Sequence, residues 1–282
     1  MDFIGKRKIP FTVSAIIIIV SLLSLFINGL NFGIDFIGGN TLSVQFGEQT
    51  STKNIRESLK AFDLDDAQIQ GSDNNIFVIK TKESLEESKL AEIKTKLQDD
   101  IGKMEVLSSE KVGPVIGKEL RKNGILSLVI AIILMVIYIT IRFEFKFALA
   151  AIIALIHDVL FTVGIFSLFK IEVDITFIAA ILTIIGYSIN DTIVIFDRIR
   201  ENLRIVKKES LEKITNDSII QTLSRSINTV LTTLFTLVAL FVLGGATTKI
   251  FALTLIIGIS IGAYSSIFIA SPCWFEFKGL KK

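Results

Sequence analysis

Ile175-Thr-Phe-Ile-Ala-Ala-Ile-Leu-Thr-Ile-Ile-Gly-Tyr-Ser-Ile-Asn-Asp-Thr-Ile-Val-Ile-Phe196 carries one charged side chain, Asp191, in an otherwise apolar run. At 1.5 Å per residue such a helix crosses the roughly 30 Å hydrocarbon core of a bilayer. Five more stretches read the same way: Ile9–Ile27, Gly124–Ile141, Phe147–Leu168, Ile227–Leu243 and Phe251–Ala270. The chain of 282 residues is 51% hydrophobic, and its mean hydropathy is +0.63. A soluble domain could not carry that without large exposed apolar patches. Intrinsic disorder is excluded by the same content. A disulfide scaffold is excluded because Cys273 is the only cysteine. A net charge of +2 gives no basic excess for nucleic acid. The expected fold class is an α-helical integral membrane protein of six transmembrane helices with an external α+β ferredoxin-like domain.

The expected organisation has three parts. Residues 1–30 are a cytoplasmic N-terminus and the first membrane helix. Residues 31–123 form the external domain. Residues 124–282 form a five-helix membrane bundle with a cytoplasmic loop over 197–226. The first apolar run is too long for a signal-peptide core and lacks a small-residue cleavage site, so it reads as an uncleaved anchor.

Orientation follows from Lys and Arg in the short loops. Lys6, Arg7 and Lys8 precede the first span, and Arg142 and Lys146 follow the second. Arg198, Arg200, Arg204, Lys207, Lys208, Lys213 and Arg225 follow the fourth, and Lys278, Lys281 and Lys282 follow the sixth. The opposite short loops hold only Lys170 and Lys249. Both termini are therefore expected in the cytoplasm, and the large domain outside.

That domain reads as β-α-β-β-α-β, the split βαβ order. Thr41-Leu-Ser-Val-Gln-Phe46 alternates as a half-buried strand. Ser51–Phe62 opens on capping residues and keeps Ile55, Leu59 and Phe62 on one face. Short strands at Ala67–Gln70 and Ile76–Lys80 flank the turn Gly71-Ser-Asp-Asn-Asn75. A charged helix over Glu83–Ile101 and a strand over Met104–Leu107 complete the order. The loop Asp197–Ser226 has Ile199, Leu203, Val206, Leu211, Ile214, Ile220 and Leu223 at helical spacing, and reads as a helix packed on the bundle or lying at the lipid interface.

Ionisable groups inside a membrane cost at least about 2.5–3.5 kcal/mol at a helix centre and so point to function. Asp191 lies about five residues inside the cytoplasmic end of the fourth span. Thr176, Ala180, Thr183, Tyr187 and Asp191 follow at three- and four-residue steps, a small polar face expected to point into the bundle. Desolvation favours a protonated carboxyl and a nearby cation the ionised one, so Asp191 suits a proton relay. The alternative is an Asp permanently bonded between helices. Arg225 opens the fifth span, ahead of a face of Thr229, Thr232, Thr233 and Thr236. It is either the fixed counter-ion of Asp191 or an interfacial Arg reaching lipid headgroups. His157 and Asp158 adjoin in the third span, about 100° apart around the helix, so they need not face one another. His157 suits a relay by its ordinary pKa, or a neutral bond to a neighbouring span, and Asp158, mid-span, reads as a further proton-relay candidate. Thr183, Tyr187, Asn190 and Thr229 are the expected polar lining. Gly258 and Gly262 read as a small-xxx-small helix contact. Asp197, Arg198, Arg200 and Glu201 read as an interfacial charge network.

The sequence has no Walker, G-x-G-x-x-G or G-x-S-x-G pattern, and one His with one Cys cannot build the usual zinc sites. No enzyme and no cofactor is expected.

Several motifs in order resemble the SecF family, the smaller half of the bacterial SecDF protein-export factors. They are Gly33-Ile-Asp-Phe-Ile-Gly-Gly39, Val112-Gly-Pro-Val-Ile-Gly117, His157-Asp158 and Gly186-Tyr-Ser-Ile-Asn-Asp-Thr-Ile-Val-Ile-Phe-Asp-Arg-Ile-Arg-Glu-Asn202. Leu223-Ser-Arg-Ser-Ile-Asn-Thr229, Leu243-Gly-Gly245 and Tyr264-Ser-Ser-Ile-Phe-Ile-Ala-Ser-Pro272 complete the set. Ile250 and Ala263 depart from it, where an acidic residue and Thr would be expected. The resemblance implies half of an RND-superfamily bundle in the cytoplasmic (inner) membrane. It implies SecD, the SecYEG translocon, translocating preproteins and the lipid bilayer as partners, with no nucleic acid. It implies use of the proton-motive force to help export preproteins, with Asp191 and Arg225 on the proton path. A further Asp on that path belongs to SecD in this family, so the chain is not expected to pump alone. Two other readings stay open: a structural scaffold of the translocon, and an RND-like exporter subunit for lipids or small molecules.

Overall fold

The computed structural model describes residues 2–206 and 209–279, so Lys207, Lys208, Lys281 and Lys282 of the orientation argument lie outside the described residues. The chain leaves its first helix, α1 (Lys8–Asn28), through strand β1 (Asn31–Phe32) and a single turn, α2 (Ile34–Ile37). Gly38 and Gly39 then open strand β2 (Gly39–Phe46). Both glycines have positive φ, 88° and 147°. A Cβ on Gly39 would collide with the Thr81 carbonyl oxygen, and one on Gly38 would lie 3.1 Å from the Val112 carbonyl oxygen. Only glycine fits the backbone there. Gly39→Ala is expected to destabilise the domain by about 3 kcal/mol or more, read as lost protease protection. Gly47→Ala, with an ordinary φ and its nearest neighbour at 3.4 Å, should stay within about 0.5 kcal/mol.

The domain continues through α3 (Thr52–Leu59), β3 (Gln68–Ser72), β4 (Ile76–Thr81), α4 (Glu87–Ile101) and β5 (Met104–Val112). Ser51 caps α3 by accepting the Asn54 N–H at 3.3 Å. Sheet order is β3-β4-β2-β5, with every neighbouring pair antiparallel, which is the ferredoxin-like arrangement. Leu42, Val44 and Phe46 alternate inward to meet Ile55, Leu59, Ile93 and Leu97 from the two helices. Two boundaries differ from expectation. α4 starts at Glu87 rather than Glu83, because Asn40 Oδ1 accepts the Leu85 N–H at 2.7 Å and holds that segment out of the helix. β5 runs to Val112 rather than Leu107, since it pairs with β2 on both sides of a bulge at Leu107, from Met104 to Val112.

The bundle comprises α5 (Pro114–Arg142), α6 (Phe145–Leu168), β6 (Glu172–Val173), α7 (Ile175–Ile205), α8 (Leu211–Leu243) and α9 (Ala246–Ser265). The last helix continues through a π turn at Ser266–Ala270 into α10 (Ser271–Gly279). Among the described residues six helical segments, including α1 and the continuous Thr248–Gly279, are long and apolar enough to span a membrane. The chain is a multi-pass membrane protein. α5 begins ten residues before the expected Gly124, with Pro114 in its first turn and Gly117 against the Phe36 backbone. α9 lies on α7 at Gly258, over Ile184, and at Gly262, over Ser188, as the small-residue spacing predicts.

The stretch 197–226 is corrected. It is helical and packed on the bundle, as one of the two readings has it, but as the ends of two membrane helices: α7 runs to Ile205 and α8 starts at Leu211 behind the Ser210 cap. Its apolar spacing continues the phase of the membrane helices, so nothing breaks them. Ile199 and Ile214 are buried, and Asn202 Nδ2 donates to Ser218 Oγ at 2.8 Å across the hairpin.

Candidate functional site

Two buried carboxylates flank α7. Asp191 projects from α7 itself and is 8% exposed. Its Oδ1 accepts a hydrogen bond from Ser226 Oγ of α8 at 2.6 Å. Its Oδ2 is buried without a partner among the described residues. Arg225, the expected counter-ion, forms no hydrogen bond or ion pair with Asp191, and its side chain is exposed. The neighbouring Ser226 makes the contact instead. Ser226 and Arg225 project about 100° apart around α8, and it is Ser226 that points at the carboxylate.

Asp158, on α6, is wholly buried. Its Oδ2 accepts from Ser188 Oγ of α7 and Ser265 Oγ of α9, both at 2.7 Å. Its Oδ1 lies 3.0 Å from His157 Nδ1. The adjacent residues thus do meet, although their angular spacing does not require it. The ring packs against Phe161 and Tyr264, and Nε2 has no partner among the described residues. With Asp158 ionised, Nδ1 carries the proton and Nε2 is left as an acceptor. Three helices are therefore pinned to one carboxylate.

Ser188 stands one helical turn from Asp191, so α7 presents Asp158's partner and the second carboxylate on one side. A second thread runs parallel to it. Thr192 Oγ1 lies 2.8 Å from Ser266 Oγ, in the π turn that follows Ser265. Ser271 Oγ closes this turn by donating to the Ser266 carbonyl at 2.9 Å. π turns of this kind recur at functional sites.

The remaining lining divides. Tyr187 OH donates to the Thr229 carbonyl at 3.0 Å and lies 2.9 Å from Thr233 Oγ1, which ties α7 to α8. The hydroxyls of Thr183 and Thr229 bond only within their own helices, to the Ala179 and Arg225 carbonyls, and both residues are exposed together with Asn190. The expected inward face is thus corrected: Ala180 and Asp191 turn in, while Thr183 turns away from this chain's own helices. Of the charges at the end of α7 expected to form an interfacial network, Arg198 pairs with Glu201 at 2.7 Å. Ser188, Ser226 and Ser265 were missed as site residues. Their one signal is a small hydroxyl within an apolar run, which is common in membrane helices.

Residues 92–279 match the family model described as protein export membrane protein SecD/SecF, C-terminal. Residues 23–50, with Gly38-Gly39, match the SecD/SecF GG motif. A protein translocase subunit SecF from Sebaldella termitidis is 43% identical, with all of this chain and 93% of that protein covered. A protein translocase subunit SecDF from Bacillus subtilis is 41% identical over all of this chain, which spans 39% of the longer protein. Among solved structures, a SecDF from a Thermus species, titled a translocon-associated membrane protein, superposes with a TM-score of 0.88 at 35% identity. That match covers 99% of this chain and 39% of the Thermus chain. With both family models matched and a relative at 43% identity aligned along its whole length, the chain belongs to the SecD/SecF family of protein-export membrane proteins.

Proposed function

We propose that this chain is the SecF-type accessory subunit of the Sec protein translocase, coupling proton movement to preprotein export together with SecD. The observation that carries the reading is Asp191, a buried carboxylate with one oxygen bonded to Ser226 and the other unpartnered. A free acceptor site on a sealed carboxyl is where a proton can be loaded and released. Asp158, with both oxygens engaged, and His157 tune the packing around it rather than carry its proton. Arg225, Thr229, Asn190 and Thr183 form a polar stripe at membrane depth, facing away from this chain's helices. An Arg left against lipid there is costly. In the proposed assembly SecD's spans cover that stripe and supply the remaining groups of the path. The asymmetry of Lys and Arg supports cytoplasmic termini, the ferredoxin-like domain outside and residence in the cytoplasmic membrane. SecYEG and the emerging preprotein are the further partners of this reading.

Depleting the chain from cells and measuring preprotein export with and without a protonophore tests the reading. Depletion should remove the same fraction of export that the protonophore removes, and the two treatments together should do no more than either. Additive losses would show that the chain acts independently of the proton gradient.

A further inference from the structure

Glu172, in the short outer connection between α6 and α7, is a buried glutamate that the proton site does not use. Both its oxygens lie 3.1 Å from Lys80 Nζ, and the two side chains are 4% and 14% exposed. Lys80 belongs to β4 of the ferredoxin-like domain, where it is paired with Thr41 of β2 and Gln68 of β3. Among the described residues this is the one ion pair between the sheet and the helix bundle.

The surroundings fix Glu172 closely. A Cβ on Gly33 would lie 2.5 Å from its Oε1, so the chain leaving α1 folds directly over the carboxylate. β1 pairs in parallel with β6, Asn31 with Glu172 and Phe32 with Val173. Gly33 N–H donates to the Val173 carbonyl at 2.8 Å, and Asn31 Nδ2 to the Lys170 carbonyl at 3.0 Å. Asp35 Oδ2 accepts the Ile175 N–H at 3.0 Å, capping the first turn of α7 from another segment of chain. Asp174 caps the same helix through Phe177 N–H at 2.9 Å. Glu172 therefore stands three residues before the helix that carries Ser188 and Asp191, and the outer end of that helix is fastened to the exit of α1.

We propose that Lys80–Glu172 is the joint through which displacement of α7 moves the external domain, the two residues acting as positioning residues for the proton-driven step. This rests on the proposed function and adds to it a route from bundle to domain. The backbone bonds around β6 join chain segments that are already part of the membrane unit. Beside the α2 turn that leads into β2 and the packing of β3 on α9, Lys80 is the side chain that ties the middle of the sheet to that joint by charge, so an intact pair makes domain and α7 move as one body. A broken pair leaves the domain held by its two chain connections and its packing. Buried pairs suit this task, since removing one partner strands the other charge.

The test uses the purified complex with SecD, in a Cys273→Ala background, with spin labels at Glu92→Cys on exposed α4 and Phe169→Cys at the outer end of α6. The unsubstituted pair should give a single narrow distance distribution. Glu172→Gln, close to isosteric, and Lys80→Met should each broaden it and add a second, longer population. The charge swap Lys80→Glu with Glu172→Lys should restore the narrow distribution and, in cells, the proton-stimulated export that the single variants lose. Unchanged distances in both single variants overturn the joint, as does a swap that folds and assembles but leaves the distribution broad. Broad distances with undiminished proton-stimulated export overturn the coupling role while leaving the proposed function standing. Absence of proton stimulation in the unsubstituted protein overturns that function, and the distances then still decide whether the joint exists.

Discussion

Asp191→Asn is expected to reduce preprotein export to the level seen without a proton gradient, while the protein still assembles with SecD. Asn has the size of Asp and can accept the Ser226 hydroxyl as Oδ1 does now, at 2.6 Å. It cannot take up or release a carboxyl proton. One proton crossing about 100 mV is worth roughly 2.3 kcal/mol, close to a fifty-fold bias on a two-state equilibrium. The variant forfeits that bias and keeps the fold. Ser226→Ala removes the hydrogen bond but not the carboxyl, so its export should fall less than that of Asp191→Asn. Export rates at matched expression, with SecD co-purification as the control, decide the matter. Undiminished export in Asp191→Asn would make the residue an interhelical bond and the chain a scaffold.

The sequence made the acid legible because a carboxylate in an apolar run is expensive anywhere and so stands out singly. Its partner was not legible. Ser226 costs a helix little, and its choice over Arg225 depends on the rotational phase of α8 against α7, which is set by packing along both helices. The sheet was readable where burial alternates, as at Leu42, Val44 and Phe46. It was unreadable where the ladder alone sustains the strand, as at Ser108–Val112, most of whose side chains face outward. The early start of α8 escaped notice because Leu211–Ser226 is too polar to resemble a span, although its inward residues keep the same helical phase. Gly38-Gly39 stands out in the sequence only as a pair of glycines, and its reason is visible once the Thr81 carbonyl of β4 and the Val112 carbonyl of β5 lie against it.

Asp158 is expected to behave differently from Asp191, and the contrast separates a fastening from a proton station. In Asp158→Ala the hydroxyls of Ser188 and Ser265 and the Nδ1 of His157 lose their common acceptor in a wholly buried place. Hydrogen bonds between membrane helices are worth about 0.6 kcal/mol on average and at most about 1.7. Three of them, with the cavity left by the carboxylate, amount to roughly 2–4 kcal/mol. The thermal midpoint in detergent should drop accordingly, with α6, α7 and α9 losing their shared tie. Asp158→Asn should be mild in both stability and export. Its amide oxygen has two lone pairs for the two serines, and its NH2 can donate to His157 Nδ1 once that ring takes the other tautomer. The tautomer change moves the imidazole proton to Nε2, which has no partner among the described residues. Ring-nitrogen chemical shifts of this single histidine would therefore report the exchange directly. If Asp158→Asn instead abolished proton-stimulated export as fully as Asp191→Asn, with the thermal midpoint unchanged, the carboxyl of Asp158 would itself have to take up and release a proton. The proton path would then run across α7 from one carboxylate to the other.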